Sequence, residues 1–335
     1  MTQTINTVIL GASGYTGVEL LRLLKTHPAF RIVALTGESQ AGKEMGEVYP
    51  HLAFEGLPKL VKADEVDYRD VALVFCCLPH GTTQEIIAGL PSHVRIVDLS
   101  ADFRLSDVQE YAEWYGHAHK APALQKEAVY GLTEHAREAV KKARLVANPG
   151  CYPTSVLLPL VPLLKAQLIA PEGMVIDSLS GVSGAGRGVK QNLLFTELDA
   201  GVSAYSVGRH RHMAEIEQEL TLACHPGLAP GSCETSPLPG DPGVAAQTGM
   251  TVRVSFTPHL MPMTRGMLST IHVKGNVNAD AARAHLQAVF AGEPFVKILS
   301  ASSPASHHVR GTNQCHIALH DGRLPGELII VSVID

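Results

Sequence analysis

A cysteine directly follows a proline-glycine turn in residues 148–154, whose sequence is NPGCYPT. Pro153 suits the first turn of a helix, where its missing N–H costs nothing, and the apolar pattern predicts a helix over 154–164. A cysteine at a helix N-terminus meets the positive end of the helix dipole, which lowers the pKa of the thiol and favours the thiolate. The N–H groups there can also stabilise an oxyanion when the thiolate attacks an acyl carbon. The sequence therefore predicts that Cys151 is a nucleophile.

A nucleophilic cysteine needs a proton-transfer partner. Two histidines stand in the run 209–212 (RHRH), just before an acidic, amphipathic stretch at 215–219. A histidine before a helix can project into a cleft with a pKa near neutrality, so either His210 or His212 can serve as the acid–base group. Two other interpretations stay open, namely a His-x-His metal site that lacks a visible third ligand, and a basic surface cluster.

The remaining cysteines are typical of small buried residues or of loops. Two lie in the apolar run 71–78, one borders a strand-like segment, and two lie in the proline- and glycine-rich stretch 224–247, which we interpret as an exposed loop. No C-x-x-C pair is present, and a chain of this length needs no disulfide framework. We therefore expect a cytoplasmic protein with reduced thiols.

A glycine-rich motif, GASGYTG, occupies residues 11–17 between an apolar strand-like run and an amphipathic helical pattern. Glycines allow a tight turn and a close approach of the backbone to an anion, and the N–H groups at the helix start bind a pyrophosphate. The spacing G-x-x-G-x-x-G indicates a variant of the dinucleotide-binding fold. A tight turn without a ligand is the alternative interpretation.

The end of the second predicted strand bears on which dinucleotide is bound. An acid at the strand tip would bind the ribose 2′-hydroxyl of NAD and repel the 2′-phosphate of NADP. Here the tip is Thr36, with Ser39 and Lys43 close behind, and Glu38 comes two positions after the tip. These residues favour NADP.

A second glycine-rich segment, SGVSGAGRG at 180–188, follows another strand-like run. Its small side chains suit a wall against a flat ring such as nicotinamide, which makes Ser183 and Gly184 candidate cofactor contacts. Arg187 in this segment and Arg104 further upstream are candidate anion-binding residues, because arginine binds carboxylate or phosphate in bidentate fashion. A surface salt bridge is the alternative for either arginine.

The order of apolar segments predicts two domains. In the first half, strands and amphipathic helices alternate with short connections, which predicts a Rossmann-type doubly wound parallel sheet over residues 1–150 that binds NADP. The second half, 151–335, which contains Cys151 and the two candidate histidines, predicts an α+β domain with a mixed sheet. Its strand-like segments are 175–180, 251–256, 268–273, 316–319 and 327–334, and a helix is predicted over 279–290.

Composition excludes several classes of function. The chain has 335 residues, of which 45% are hydrophobic and 18% charged, as in ordinary globular proteins. The net charge of −5 provides no basic field for nucleic acid. No apolar run reaches the roughly 18 residues that a membrane span requires. Although the sequence contains 17 histidines, no set of cysteines and histidines has metal-ligand spacing, so we expect no metal site.

Motifs along nearly the whole chain resemble the N-acetyl-γ-glutamyl-phosphate reductases, a family of arginine biosynthesis related to aspartate-semialdehyde dehydrogenase. The matching segments are GASGYTG at 11–17, DLSADFRL at 98–105, YGLTE at 130–134, NPGCYPT at 148–154, SGVSGAGR at 180–187, HRHMAEIEQ at 210–218, SFTPHLMPMTRG at 255–266 and GTNQC at 311–315. Their order and density make a chance agreement very improbable.

The resemblance implies a reaction and a role for each site residue. Cys151 would attack the acyl phosphate of N-acetyl-5-glutamyl phosphate, and NADPH would reduce the resulting thioester to N-acetylglutamate 5-semialdehyde. His212 would be the acid–base residue, with His210 as the alternative, and Arg104 and Arg187 would hold anionic groups of the substrate. The residues implied to contact the cofactor are Gly11, Ser13, Gly14, Tyr15, Thr16, Gly17, Ser39, Ser183 and Gly184.

The resemblance also implies a homodimer or homotetramer. It leaves open whether the cofactor site is complete and which acyl phosphate is the substrate. The family continues past its last strand into a helix with a lysine-glycine-alanine stretch, whereas this sequence stops at residue 335. We therefore expect either a shortened chain or an incomplete cofactor site. The alternative functions are the same chemistry on an aspartyl or aminoadipyl phosphate, and a catalytically impaired NADP-binding protein.

Overall fold

The computed structural model describes residues 4–53, 56–224, 251–300 and 302–335. These residues form two compact units. The first comprises Met1–Arg104, Tyr111–Pro149 and Ala185–Gly188, and the second comprises Leu105–Glu110, Gly150–Gly184 and Val189–Asp335.

Two short segments depart from the predicted division after residue 150. The Ser106 N–H and hydroxyl both donate to Gln218 Oε1, at 2.8 and 3.0 Å, and these bonds attach the segment Leu105–Glu110 to the second unit. The segment that contains Arg187 belongs to the first unit, where the Arg187 guanidinium donates to the Ser13 carbonyl at 3.3 Å. Side-chain hydrogen bonds of this kind leave no signature in hydrophobic periodicity.

The first unit is built on a parallel sheet. Its strands are β1 (Ile5–Leu10), β2 (Phe30–Thr36), β3 (Leu60–Val61), β4 (Leu73–Cys76), β5 (Arg95–Asp98), β6 (Val129–Tyr130) and β7 (Leu145–Ala147). Its helices are α1 (Tyr15–Lys25), α2 (Met45–Val48), α3 (Thr83–Ala88), α5 (Pro122–Gln125), α6 (Thr133–Lys142) and the part of α4 (Val108–Tyr115) from Tyr111 onward. The strand order is β3-β2-β1-β4-β5-β7-β6, with every neighbouring pair parallel.

Burial along β1 explains why this sheet is covered on both faces. Val8, Ile9 and Leu10 are each 0% exposed, and alternate side chains join different apolar cores. Val8 and Leu10 belong to one core and Ile9 to the other. The strand order reverses between β1 and β4, and such a reversal opens a crevice at the carboxyl ends of the strands, where ligands bind in doubly wound sheets. The predicted Rossmann-type fold is confirmed.

A buried carboxylate organises the segment that follows β5. Asp102 is 0% exposed, and it accepts hydrogen bonds from Gly81 N at 2.7 Å, Thr83 Oγ1 at 2.7 Å and the Tyr111 hydroxyl at 2.9 Å. Buried charged groups require such donors because they have lost their hydration. Asp102 therefore fixes the start of α3 and the loop before it.

The second unit is built on a mixed sheet. Its elements are α7 (Cys151–Lys165), β8 (Met174–Ser180), α8 (Phe195–Leu198), β9 (Ser203–Ala204), α9 (His212–Cys224), β10 (Val254–Leu260), β11 (Met267–Lys274), α10 (Ala279–Val289), β12 (Val296–Ile298), β13 (Cys315–Asp321) and β14 (Glu327–Ile334). The strand order is β12-β13-β14-β11-β8-β10-β9, and both parallel and antiparallel pairs occur. The predicted mixed sheet is confirmed. Residues 225–247 of the predicted loop lie outside the described residues, and Cys224 ends α9.

Helix α7 is enclosed by its own unit. Every side chain from Ser155 to Leu164 is buried, and α7 packs against β11, β14, α9 and α10. A chain of buried hydroxyls joins it to the sheet, since Ser155 Oγ lies 2.8 Å from Ser269 Oγ, which lies 2.7 Å from Ser178 Oγ. An apolar helix anchored in this way has little freedom to shift, so the position of its first residue is well defined.

Helix α9 carries a carboxyl group whose protonation affects stability. Burial raises the pKa of Glu219 to about 7, although the hydrogen bond from Gln218 acts in the opposite direction. The folded protein therefore keeps this proton at pH values where a glutamate of the unfolded chain, with a pKa of 4.5, has lost it. Stability must then fall as the pH rises through this interval.

We predict that Glu219→Gln reduces the loss of stability between about pH 5 and about pH 8, because the glutamine has no proton to lose. Urea unfolding of the variant and the parent at both pH values measures the difference. Glu138→Gln is the matched control, since the Glu138 side chain is 74% exposed. An unchanged pH dependence in Glu219→Gln would contradict the prediction.

Candidate active site

Cys151 is the first residue of α7 and its side chain is exposed, whereas the next residue, Tyr152, is buried. The N-cap residue is Gly150, which has no side chain to accept hydrogen bonds from the first turn. The helix begins three residues before the predicted start, because the first turn closes with Thr154 N donating to the Gly150 carbonyl at 2.9 Å. N–H groups at a helix start beside an exposed thiol are what stabilisation of an oxyanion there requires.

Glu215 is a site residue that the sequence did not reveal. It lies on α9, is 2% exposed, and its Oε1 accepts a hydrogen bond from Gly150 N at 2.7 Å. This bond fixes the peptide group immediately before Cys151. In the sequence it is one acid of the acidic, amphipathic stretch 215–219, and only the packing of α9 against α7 shows that it points inward.

Arg104 supports the same turn from its other end. It is 6% exposed, with Nε donating to the Asn148 carbonyl at 2.7 Å and Nη2 to the Leu99 carbonyl at 3.0 Å. These bonds to backbone favour a role in positioning the turn before Cys151. Its predicted contact with substrate stays a prediction.

Aromatic rings surround the two candidate histidines. Tyr152 packs edge-on against His210 and His212, with centroid distances of 5.4 and 5.7 Å, and Phe256 lies 5.5 Å from His210. The Tyr152 and Tyr205 hydroxyls are 2.6 Å apart. Burial raises the pKa of both tyrosines, and the nearby Cys151 charge raises each of them further. Both tyrosines therefore stay protonated as hydrogen-bond donors beside the cysteine.

The two imidazoles have different environments. His210 Nδ1 accepts a hydrogen bond from the His212 N–H at 3.1 Å, so His210 caps the start of α9. Burial, with the neighbouring charge of Arg211, lowers the pKa of His210 to about 4. His210 is therefore neutral at physiological pH, with one nitrogen engaged by the backbone, whereas His212 is the first residue of the helix. The assignment of His212 as the acid–base residue, with His210 as the alternative, stays a prediction.

The phosphate-binding loop has the backbone that the motif predicts. Gly11 has φ +78°, and a Cβ there would lie 2.5 Å from the Cys77 carbonyl oxygen. A Cβ on Gly17 would lie 2.6 Å from Ala12 Cα, so this glycine permits close contact between α1 and the loop. Gly14 caps α1 without a side-chain hydrogen bond, and the first turn contains no acid. The loop therefore suits the pyrophosphate of a dinucleotide.

The acid that follows the end of β2 most closely in the sequence, Glu38, is bonded to the backbone. Glu38 Oε1 accepts a hydrogen bond from Ala63 N at 3.2 Å, so this carboxylate caps the 3-10 turn Ala63–Glu65. Thr36 is buried, and its hydroxyl accepts a hydrogen bond from Gly11 N at 3.0 Å. Ser39 is exposed in the next turn. These positions suit NADP, because the tip of β2 is a threonine and the Glu38 carboxylate is bonded to the neighbouring turn.

The second glycine-rich segment is held by backbone hydrogen bonds. Ser183 N donates to the Thr264 carbonyl at 3.0 Å, and a Cβ on Gly181 would lie 2.8 Å from Arg265 Cα. Ser183 and Gly184 thus form part of a 3-10 turn in the second unit. Arg187 lies in the first unit against the phosphate-binding loop, a position that favours a cofactor role over the predicted substrate role.

The structure therefore groups the predicted residues into two sets. Cys151, His210 and His212 gather in the second unit, and residues 11–17, Ser39 and Arg187 gather in the first. Within the described part of the chain, no three histidine, cysteine, aspartate or glutamate side chains are placed to hold a metal ion. In the same residues, every helix is too short or too polar to span a membrane.

Family models match both units. The model described as "Semialdehyde dehydrogenase, NAD binding domain" matches residues 6–143. The model described as "Semialdehyde dehydrogenase, dimerisation domain" matches residues 151–230 and 243–335. Together they cover most of the chain and define the class of protein to which this fold and site belong.

Relatives define a narrower group. A probable N-acetyl-gamma-glutamyl-phosphate reductase of Oryza sativa subsp. japonica is 51% identical over 99% of this chain and 75% of its own length. The corresponding protein of Arabidopsis thaliana is 52% identical over 98% of this chain and 76% of its own length. The N-acetyl-gamma-glutamyl-phosphate reductase of Rhodospirillum rubrum is 49% identical over 100% of this chain and 91% of its own length.

Solved structures agree with the fold. Aspartate semialdehyde dehydrogenase II from Vibrio cholerae superimposes with a TM-score of 0.67 at 15% identity, covering 99% of this chain and 93% of that one. The aspartate semialdehyde dehydrogenase with NADP from Candida albicans gives a TM-score of 0.65 at 16% identity, covering 99% and 94%. The chain belongs to the semialdehyde dehydrogenase family, and within it to the N-acetyl-gamma-glutamyl-phosphate reductases.

We predict that Glu215→Ala destabilises the fold by roughly 1–3 kcal/mol, because the buried Gly150 N–H loses its acceptor. Glu215→Gln keeps an oxygen acceptor at this place and is expected to lose less. Urea unfolding measures the stability, and amide exchange of the peptide around Gly150 measures the local opening. Parent-like exchange in the alanine variant would show that the carboxylate does not hold this turn.

Proposed function

We propose that the protein catalyses the NADPH-dependent reductive dephosphorylation of N-acetyl-5-glutamyl phosphate to N-acetylglutamate 5-semialdehyde, a step of arginine biosynthesis. The observation that carries the site assignment is the exposed Cys151 thiol at the N-terminus of a buried helix, in the same unit as two imidazoles. The relatives at about half identity are named for this substrate. The aspartyl enzymes resemble the chain at the level of fold, with 15–16% identity.

In the proposed reaction, the Cys151 thiolate attacks the acyl carbon and a sulfur–carbon bond forms. The carbon–oxygen bond to the phosphoryl group then breaks, and inorganic phosphate leaves with the electron pair. NADPH, when bound, supplies the hydride that reduces the thioester. The sulfur–carbon bond breaks last, which releases the aldehyde and restores the thiolate.

The N–H groups of the first turn of α7 support the negative oxygen that forms at the attacked carbon. Their position is set by Glu215 and Arg104, which hold the peptide groups on either side of Pro149. Because these donors are fixed before substrate arrives, little reorganisation accompanies the development of charge.

His212 is the proposed proton carrier. It accepts the thiol proton when Cys151 attacks, and it stabilises the oxygen of the thiohemiacetal while the aldehyde is released. His210 supports this role by capping α9 through its Nδ1 atom and by packing against His212 at a centroid distance of 4.8 Å. Cytoplasmic location and a homo-oligomeric state stay predictions.

Cys151→Ser is expected to lower turnover by roughly 10⁴-fold or more, because a serine hydroxyl is not ionised near neutral pH. Binding of NADPH, measured by nicotinamide fluorescence, is expected to stay within about threefold of the parent, since the phosphate-binding loop is untouched. Mass spectrometry of the parent mixed with acyl phosphate and no NADPH is expected to show an acyl adduct on Cys151.

Cys224→Ser is a matched control, because this half-buried cysteine lies at the far end of α9. It is expected to leave turnover unchanged. Substantial activity in Cys151→Ser, or an adduct on another cysteine of the parent, would overturn the assignment of the nucleophile.

His212→Asn is expected to lower kcat by about 10²- to 10⁴-fold, the usual contribution of a positioned acid–base group, with little change in stability. His210→Asn is expected to destabilise the fold by roughly 1–3 kcal/mol through the loss of ring packing and to lower kcat less. Steady-state kinetics and urea unfolding of both variants separate these roles. The reverse ranking of kcat would transfer the acid–base role to His210.

A further inference from the structure

Arg187 meets the phosphate-binding loop at a single carbonyl group. Its Nη1 donates to the Ser13 carbonyl oxygen at 3.3 Å, and its Cζ lies 4.7 Å from the centroid of the Tyr49 ring. The Tyr49 hydroxyl donates to the same oxygen at 3.0 Å. Arg187, Tyr49 and Ser13, from three separate segments of the first unit, therefore form one cluster, which we name the Ser13 cluster.

The Ser13 cluster lies at the end of β2. The Ser13 hydroxyl would stand 3.0 Å from a Cβ on Gly37, the residue that follows this strand. The loop is joined to the same strand end by Ala12 N, which donates to the Thr36 carbonyl at 2.8 Å. In doubly wound folds the adenosine ribose lies at this strand end, so its 2′ substituent points toward this corner.

The charges at this corner suit a phosphate. The partners of Arg187 among the described residues, the Ser13 carbonyl and the Tyr49 side chain, are both neutral. Glu38, the acid that follows the end of β2 most closely in the sequence, is held by Ala63 N. Lys43 Nζ is engaged by the Gln40 side chain at 3.0 Å. Arg187 therefore provides a positive charge at this corner that no carboxylate of the described residues neutralises.

The side chain also has the exposure that a ligand contact needs. Arg187 is exposed to solvent. The space beside the preceding residue, Gly186 (φ +81°), is empty, since a Cβ on that glycine would have no atom within 4 Å. The guanidinium can therefore adjust toward a phosphate without disturbing a packed core. Arginine binds phosphate through two parallel, charge-assisted hydrogen bonds, which neither the carbonyl nor the ring provides.

We propose that Arg187 is a specificity-determining residue that binds the 2′-phosphate of NADP and so distinguishes it from NAD. This assignment rests on the proposed function, because it concerns the cofactor of that reaction. It replaces the substrate role that the sequence predicted for this arginine.

The test measures binding alone, without acyl phosphate. NADPH and NADH differ only by the 2′-phosphate, and nicotinamide fluorescence reports the Kd of each for the parent, Arg187→Gln and Arg187→Lys. Arg187→Gln is expected to weaken NADPH binding by about 10- to 100-fold, as for loss of a hydrogen bond to a charged group, and to change NADH binding by less than about threefold. Arg187→Lys is expected to lose less, because it keeps the charge.

Arg31→Gln is the matched control, since Arg31 is exposed near the opposite end of β2. It is expected to leave both Kd values unchanged. Equal losses for NADPH and NADH in Arg187→Gln would assign the arginine to the pyrophosphate and overturn the proposal. Unchanged nucleotide binding with a raised KM for acyl phosphate would show that Arg187 binds the substrate, which also overturns the proposal. A parent that binds neither nucleotide would overturn the proposed function together with this assignment.

Discussion

The hydrogen bond between Gly150 N and the Glu215 carboxylate is the contact on which the site depends. It joins the turn before Cys151 to helix α9, which begins at His212. A charge-assisted bond between buried groups is strong and directional, so the start of α7 and the start of α9 hold a fixed relation. The proposed chemistry of Cys151 depends on that relation, since a cysteine further along the same helix would lie away from both the helix N-terminus and the start of α9.

The rest of the second unit restrains the same two helix ends. Helix α7 is buried on all sides and bonded to the sheet through hydroxyl groups. Helix α9 is bonded to the start of β10, where Glu217 accepts a hydrogen bond from Val254 N at 3.0 Å. Rigid support of this kind keeps reacting groups within the small tolerances that catalysis requires.

Sequence patterns predicted the parts of the fold that rest on periodicity. Strand β1 spans Ile5–Leu10, as its apolar run indicates, and α10 differs from its predicted range by one residue. The two-residue strands β3, β6 and β9 escaped prediction, because a period of two needs more residues to be visible. The glycine motif correctly predicted the turn before α1, and the proline-glycine turn correctly predicted a helix start near Cys151. Glycine and proline act locally, through backbone conformation, so their effect is visible in the sequence.

Contacts between distant segments were beyond the reach of sequence. The sequence does not show whether an acid on an amphipathic helix, such as Glu215, is solvated or buried. The difference depends on its partner, Gly150 N, which lies far away in the sequence. Arg187 shows the same difficulty, because a glycine-rich segment sets no direction for the side chain that it carries. Its place beside Ser13 follows from the course of residues 185–188, which the structure assigns to the first unit.

The hydrogen bond between the Glu38 carboxylate and Ala63 N has a consequence for the evolution of coenzyme choice. An acid at this strand end is what selects NAD in doubly wound folds, and here the acid is already encoded two positions after the tip. This carboxylate accepts a hydrogen bond from Ala63 N in a neighbouring turn. If it bound a ribose hydroxyl instead, that N–H would lose its acceptor. A lineage that changed coenzyme by recruiting Glu38 would therefore need another acceptor for the Ala63 N–H.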